Sequence, residues 1–243
     1  MTVPRGRDRF HRQKLNSWIG EVGQERLAGA SVLITRVGGL GGPLAQSLVL
    51  AGVGRLVIHH EGTLDPEDTH RMVLMDPGRV GEPRAPQAAE SLRRINPDLR
   101  LEYSEARITP DSARAALGTC DLAIGAAPTF EERLTLNSAA RATGKPYLDA
   151  AMCGDEGQVM LVHPTEGACL ECLLAEPPPW PVDFPVVAPV SATIGNLAAW
   201  IALRVLTTAA DLPWGRYIHF DFPRLALTHY TVPRRTNCGT CLD

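Results

Sequence analysis

Two Cys-x-x-Cys pairs are the clearest chemical signal in this sequence. Cys169 and Cys172 form the first pair, and Cys238 and Cys241 form the second, close to the C-terminal end. Two pairs at this spacing supply the four thiolates of a tetrahedral zinc site. Because four cysteine ligands leave no open coordination position, we expect a structural zinc that ties the C-terminal segment to the rest of the chain.

Disulfides between the same cysteines are the alternative, and they would require an oxidising compartment. Residues 2–12 are polar and basic and lack the apolar segment of a secretory signal. We therefore expect a cytoplasmic protein whose paired cysteines hold zinc. The other two cysteines, Cys120 and Cys153, lie in apolar sequence contexts, where buried and unreactive thiols are expected.

The composition argues against two classes of partner. The 24 lysines and arginines are balanced by 27 aspartates and glutamates, and the formal charge of −3 does not favour nucleic-acid binding. The apolar stretches, such as residues 197–206, are too short to cross a bilayer, so no membrane partner is expected. A length of 243 residues allows one large domain with a sizeable core.

Short apolar segments alternate with helical patterns along most of the chain. The predicted strands are residues 31–35, 56–59, 101–103, 122–126 and 147–151. The predicted helices are residues 44–51, 86–95, 112–117 and 131–143. This alternation predicts an α/β fold with a doubly wound, mostly parallel, Rossmann-like sheet, whose ligand crevice lies at the carboxyl ends of the strands. We divide the single domain into an N-terminal helical arm (1–30), a nucleotide-binding-type core (31–160) and a zinc-knuckle C-terminal part (161–243).

A glycine-rich turn follows the first predicted strand and contains Gly38, Gly39 and Gly41. Glycines at a strand-to-helix turn let the backbone approach a phosphate group. The charge of the phosphate then faces the free amides and the positive dipole of the helix start. Alone, such a turn is only weak evidence for nucleotide binding.

Further short motifs occur in a fixed order from residue 9 to the end of the chain. They are Arg9-Phe10-His11-Arg12-Gln13, Gly38-Gly39-Leu40-Gly41, Arg71, Val80-Gly81-Glu82-Pro83-Arg84, Ile95-Asn96-Pro97, Arg133 with Asn137, Gly154-Asp155-Glu156-Gly157-Gln158, Ile194-Gly195-Asn196 and both cysteine pairs. In this order they make the whole chain resemble the ThiF/MoeB/HesA family of activating enzymes. Members of that family adenylylate the C-terminus of ubiquitin-like proteins and sulfur carriers.

The resemblance implies an ATP-binding homodimer in which a carboxylate attacks the α-phosphate and releases pyrophosphate. It implies as partner a small ubiquitin-like or sulfur-carrier protein, or a small carboxylate metabolite. It also places three arginines in catalytic roles at the phosphates, with the last reaching across the dimer: Arg71, Arg84 and Arg12. The positions matching the family's nucleotide contacts are Gly38, Gly39, Gly41, His60 and Asn137.

The sequence departs from the family pattern where the nucleotide is expected. Arg36 replaces the first glycine of the usual Gly-x-Gly-Gly-Leu-Gly, and His60 replaces the carboxylate that would bind the ribose hydroxyls. Pro128-Thr129 replaces the usual Asp-Asn pair, with no other carboxylate expected nearby, and Asp68 stands for the usual Asn. Strand alternation places Glu61 on the opposite face. ATP thus remains a possible cofactor, whereas the missing aspartate speaks against magnesium.

Two functions therefore stay open. The first is a divergent adenylyltransferase that activates a carboxylate without a thioester intermediate, because residues 176–185, where the family carries its acceptor cysteine, contain none. The second is a catalytically degenerate relative that serves as a scaffold or a partner-binding subunit. In that case the glycines serve only tight turns and the arginines serve only salt bridges.

Overall fold

The computed structural model describes residues 8–177, 179, 183–207 and 211–241. Its strands are β1 (Ser31–Thr35), β2 (Arg55–His59), β3 (Arg100–Ser104), β4 (Leu122–Gly125), β5 (Tyr147–Cys153), β6 (Glu156–Val162), β7 (Arg216–Asp221) and β8 (Ala226–Thr231). Its α-helices are α1 (His11–Lys14), α2 (Gly20–Gly29), α3 (Gly41–Leu50), α4 (Arg84–Ile95), α5 (Pro110–Leu117), α6 (Phe130–Ala142), α7 (Leu170–Leu173) and α8 (Ala188–Leu206). Short 3-10 turns occur at Pro66–Asp68 and Pro77–Arg79.

All eight strands form one sheet in the order β3-β2-β1-β4-β5-β6-β7-β8. The pairs from β3 to β5 are parallel, as predicted, and the pairs from β5 to β8 are antiparallel. Strands β2 and β3 are added on one side of β1, and strands β4 and β5 on the other side. The order of strand addition therefore reverses between β1 and β4. Thr35, at the end of β1, pairs with His59 of β2 and Gly125 of β4, which aligns three carboxyl ends. A ligand crevice is expected at such a switch point.

The core lies on both faces of the sheet. Within β1, Val32 and Ile34 pack with the residues of α3, α4 and α8, whereas Leu33 packs on the opposite face with α5 and α6. A strand that is covered on both sides is a continuous apolar run, which is why its sequence could be recognised. The start of α3 lies very close to the end of β1, since a Cβ added at Gly41 would lie 1.9 Å from the carbonyl oxygen of Arg36.

Helix α8 extends well beyond the apolar stretch at residues 197–206. It has 19 residues, with a mean hydropathy of 1.3 over its most apolar window, so by length and composition alone it could cross a membrane. That finding corrects the expectation that every apolar stretch is too short. In the structure α8 packs against α3, β5 and β6, and a packed core helix has the same composition.

Candidate functional site

A crevice of about 270 Å³ opens at the carboxyl ends of the central strands, beside the glycine turn. Gly38 and Gly39 line it, together with Ala126 and Pro128 beyond the end of β4. Its charged and polar lining residues are Arg36, His60, Glu67, Asp68, Arg71, Arg84 and Ser191. Three of these residues are arginines, the side chains that suit an anionic ligand, and two are acidic.

Arg71 and Arg84 meet in this crevice on a single carboxylate. Asp68, only 4% exposed, accepts a hydrogen bond from Arg71 at 2.9 Å and another from Arg84. Arg84 also donates to the exposed Asp65 at 2.9 Å. The family carries an uncharged asparagine at the position of Asp68. Here the two arginines predicted to bind phosphate are therefore held together by an internal negative charge.

The glycines of the turn lie close to neighbouring side chains and backbone, which leaves little room for a side chain at these positions. A Cβ at Gly39 would lie 3.0 Å from Cγ of Arg71, and one at Gly38 would lie 3.1 Å from Cε of Met72. Gly41 is absent from the crevice lining and instead lets α3 start against the backbone of β1. Thus Gly38 and Gly39 border the crevice, while the observed role of Gly41 is in packing.

Arg36 adopts a left-handed backbone conformation, with φ of 64°, at the position where the family has glycine. Its guanidinium donates to Glu132 through Nε at 2.9 Å and through Nη2 at 3.0 Å. Nη2 also donates to Glu61 at 2.5 Å. The expectation that no carboxylate lies near Pro128 is wrong, because Glu132 accepts a hydrogen bond from Thr129 at 2.9 Å.

The placement of Glu61 also differs from the expectation. Strand β2 ends at His59, so strand alternation no longer governs residue 61, and the Glu61 side chain reaches the Arg36 guanidinium. Glu132 lies in the first turn of α6, far from Arg36 in the sequence. Its contact with Arg36 could therefore not be predicted. Nothing in the local sequence pattern distinguishes Glu132 from a surface residue, yet its side chain is 2% exposed.

His60, which is predicted to replace the family's ribose-binding carboxylate, is 3% exposed. Its Nδ1 accepts a hydrogen bond from the backbone amide of Val37 at 3.3 Å. Burial, reinforced by the nearby Arg36 and Arg84, lowers the pKa of His60 to about 3. The ring is therefore neutral with its proton on Nε2, so any hydrogen bond from this nitrogen to a ligand is donated. A carboxylate would instead accept hydrogen bonds from ribose hydroxyls.

The residues of the crevice do not fit a magnesium ion. Mg²⁺ requires carboxylate oxygens that are free to coordinate it. The two buried carboxylates in this region, Asp68 and Glu132, are both engaged by arginines. Glu67, which also lines the crevice, is exposed to solvent. The described residues thus offer no buried carboxylate without an arginine partner beside Pro128.

Two of the predicted site residues lie away from the crevice. Arg12 is exposed on α1, outside the lining of its own chain, and its role across a dimer stays a prediction. Asn137 is fully buried in α6, and its Oδ1 accepts a hydrogen bond from the backbone amide of Leu170 at 2.9 Å. Leu170 follows Cys169 directly, so the observed contact of Asn137 supports the first cysteine pair. A direct nucleotide contact of Asn137 remains a prediction.

Replacing Asn137 by alanine is expected to lower the melting temperature. The change leaves a buried amide of Leu170 without its acceptor, which costs about 1 to 3 kcal/mol. In a domain of this size that corresponds to a fall of roughly 2 to 12 °C in a thermal melt. Asn196→Ala is the control, because Asn196 is exposed and bonds only Ser47 among the contacts described. A loss of nucleotide binding at unchanged melting temperature would contradict this assignment.

The four paired cysteines form one buried cluster. Their sulfur atoms all lie within 4.8 Å of one another, and the contacts between the two pairs measure 3.6 Å and 3.7 Å. A disulfide requires about 2.05 Å between sulfurs. Four thiolates around one zinc at about 2.3 Å would be separated by about 3.8 Å. The geometry therefore fits a tetrahedral zinc bound by Cys169, Cys172, Cys238 and Cys241.

Glu171, between the first two cysteines, reinforces this cluster and was missed in the sequence. Its carboxylate accepts hydrogen bonds from the backbone amides of Gly239 and Thr240 at 3.0 Å and 3.1 Å. The hydrogen bond from the Thr240 hydroxyl lowers the pKa of Glu171 below its ordinary value. Glu171 thus holds the loop of the second pair in position, as residues around metal ligands commonly do.

The two remaining cysteines differ from each other. Cys120 is buried, as expected, whereas Cys153 is exposed at the end of β5, which corrects the expectation of a buried thiol. Sequence context misled here because the apolar part of β5 ends before its last residue. Neither thiol is among the residues lining the crevice beside the glycine turn.

The sequence matches the model of the ThiF family over residues 10–240. It is 36% identical over 240 residues to the heterocyst HesA protein of Trichormus variabilis, which covers 98% of this chain and 90% of the relative. It is also 36% identical over 247 residues to the sulfur carrier protein adenylyltransferase of Thermus thermophilus, with 97% of this chain and 91% of the relative covered.

Two further comparisons extend these matches. The SAMP-activating enzyme E1 of Haloferax volcanii is 32% identical over 242 residues, covering 96% of this chain and 88% of the relative. Among solved structures, a crystal structure of E. coli MccB with ATP superposes with a TM-score of 0.84 at 18% identity, covering 98% of this chain and 75% of that one. At that identity the structural match concerns the fold alone.

Proposed function

We propose, given that this chain belongs to the ThiF family, that it is a divergent adenylyltransferase acting on the carboxylate of a small protein. The family comprises adenylyltransferases that activate sulfur-carrier or ubiquitin-like proteins. The Thermus thermophilus relative is an adenylyltransferase of a sulfur carrier protein, and the Haloferax volcanii relative is a SAMP-activating enzyme. By these likenesses the substrate is a small sulfur-carrier or ubiquitin-like protein, with a small carboxylate metabolite as the other possibility.

In the proposed reaction, a carboxylate oxygen of the substrate forms a bond to the α-phosphorus of ATP. The bond from that phosphorus to the bridging oxygen breaks, and pyrophosphate leaves with the electron pair. Such phosphoryl chemistry depends on positioning and on charge stabilisation. The observation that carries the proposal is the meeting of Arg71 and Arg84 beside Gly39, at the switch point of the sheet.

Two further parts of the proposal rest on the resemblance to the family. The acyl adenylate is the product released to the next acceptor, because residues 176–185 contain no cysteine that could form a thioester. The chain is proposed to form a homodimer, in which Arg12 of each subunit contributes to the crevice of the other. Its exposed position on α1 leaves its guanidinium accessible for that purpose.

Replacement of Arg71 by alanine tests the catalytic assignment. We expect a loss of about a hundredfold or more in ATP–pyrophosphate exchange driven by a carrier protein, since one positioned electrostatic group contributes that much. Arg114→Ala is the matched control, because Arg114 is half-exposed on α5 and pairs with Asp111 outside the crevice. Exchange by the Arg71 variant at the rate of the unmodified protein would contradict the proposal.

A second function is supported by a specific observation. Asp68 already pairs with both phosphate arginines, and Arg36 occupies the turn where the family has glycine. A crevice balanced in this way suits a relative that has lost turnover and serves as a scaffold or partner-binding subunit. In that case isothermal titration detects no ATP binding, and no carboxylate supports pyrophosphate exchange.

A further inference from the structure

The guanidinium of Arg36 lies between two carboxylates at the crevice. It donates to both oxygens of Glu132 and to one oxygen of Glu61, and a further N–H of Arg36 lies 3.3 Å from the backbone oxygen of Glu61. Four donor contacts to two acidic residues leave one of its five N–H groups for a ligand. The Arg36 side chain is 12% exposed and lines the crevice.

The contacts of Arg36 are fixed by its backbone conformation and by the other partners of Glu132. A left-handed backbone costs a residue with a side chain about 1 to 2 kcal/mol relative to its usual conformation, and Arg36 adopts it nonetheless. Glu132 is also oriented from its other side, by the hydroxyl of Thr129 at 2.9 Å and by Nε of Arg107 at 3.6 Å. A buried carboxylate with three partners is fixed in place, and it fixes Arg36 in turn.

We propose that Arg36 is an internal cation that occupies the carboxylates a divalent metal would need, so that this crevice binds its nucleotide without a metal. The disagreement between the acidic residues present and a magnesium site is thereby explained: the carboxylates exist, but a guanidinium already neutralises them. The identity of the ligand as a nucleotide rests on the proposed function. The exclusion of metal from the carboxylates near Pro128 rests on Arg36, Glu132 and Glu61, and not on the identity of the ligand.

Removing the arginine is expected to create the missing metal site. Arg36→Gly restores the residue that suits a φ of 64°, so the backbone loses a strain rather than gaining one. It also releases the carboxylates of Glu132 and Glu61 from Arg36, and carboxylate oxygens are the ligands that Mg²⁺ and Mn²⁺ prefer. The double variant Arg36→Gly with Glu132→Gln keeps the glycine and removes the buried ligand.

Mn²⁺ is the probe, because its electron paramagnetic resonance signal falls when the ion binds protein. The zinc-loaded full chain is titrated with Mn²⁺ alone, and thermal melts of every variant are recorded in parallel. We expect no saturable Mn²⁺ binding to the unmodified protein and saturable Mn²⁺ binding to the Arg36→Gly variant. The double variant is expected to lose that binding. Arg107→Ala is the matched control, since it removes another arginine from Glu132 while Arg36 stays, and no Mn²⁺ site is expected.

Two results would overturn the proposal: saturable Mn²⁺ binding by the unmodified protein, or no gain of Mn²⁺ binding in a folded Arg36→Gly variant. A second arm measures ATP affinity by calorimetry with magnesium and with EDTA, and the two values are expected to agree within about threefold. ATP binding that is more than about tenfold tighter with magnesium overturns the proposal and leaves the adenylyltransferase function standing. Absence of ATP binding under both conditions removes that function, while the Mn²⁺ titration still decides the role of Arg36.

Discussion

Replacement of Cys238 by serine is expected to abolish zinc binding at the cysteine cluster and to lower the melting temperature by about 10 °C or more. Cys238 is fully buried, and its sulfur lies 3.6 Å from that of Cys169, on the other side of a long intervening segment. Loss of one thiolate leaves only three ligands for the metal that would link the second cysteine pair to the first. We expect the metal content, measured by inductively coupled plasma mass spectrometry, to fall from one zinc per chain to less than about a tenth.

The matched control is Cys153→Ser, which removes an exposed thiol outside the cluster. That variant is expected to keep its zinc and to melt within a few degrees of the unmodified protein. Limited proteolysis provides a second readout, because the segment around residues 232–241 becomes a site of cleavage only when the cluster is broken. Full zinc content in the Cys238 variant would show that the cysteines do not form a metal site.

Replacement of Asp68 by asparagine is expected to increase the affinity of the crevice for ATP. The change restores the family residue, removes the charge that pairs with Arg71 and Arg84, and keeps a side chain of the same size. Close charge pairs in buried sites contribute about 2 to 3 kcal/mol or more. Freed guanidinium groups should therefore lower the dissociation constant for ATP roughly 30- to 140-fold, as measured by isothermal titration calorimetry.

Asp65→Asn is the matched control for this result. Asp65 also pairs with Arg84, at 2.9 Å, but its side chain is 59% exposed and does not line the crevice. An exposed ion pair contributes little, so the affinity for ATP is expected to change by less than about threefold. No gain in affinity from Asp68→Asn would mean that Arg71 and Arg84 do not bind phosphate, which would favour the scaffold function.

Both arginine clusters at the crevice follow one pattern. Arg71 and Arg84 share Asp68, while Arg36 is shared by Glu132 and Glu61. Each cluster pairs its positive groups with carboxylates supplied by the protein itself. The positive charge that could hold a polyphosphate is thus present but already paired with carboxylates. A crevice that binds a metal together with its nucleotide would instead have unpaired carboxylates.

Parts of the fold and of the zinc site were predictable because local spacing encodes them. The run at residues 31–35 has an apolar centre at residues 32–34 and is followed by glycines, so the residue pattern was enough to identify β1 and the turn. The candidate zinc ligands were identifiable for the same reason, since a spacing of two residues between cysteines lets both sulfurs reach one metal ion. The antiparallel strands β6, β7 and β8 were not predicted, because the alternation of strands and helices on which the prediction rested stops at β5.

The sequence alone therefore determined the order of the central elements, the glycine turn, the two cysteine pairs that meet in one cluster, and the presence of Arg71 and Arg84 at the crevice. The tertiary structure decided which charges meet: that Glu132 reaches Arg36, that Asp68 joins Arg71 to Arg84, and that Asn137 faces the cysteine cluster. Periodicity and spacing report on neighbours within one element. Ion pairs between residues far apart in the chain depend on how the elements pack, which no local pattern contains.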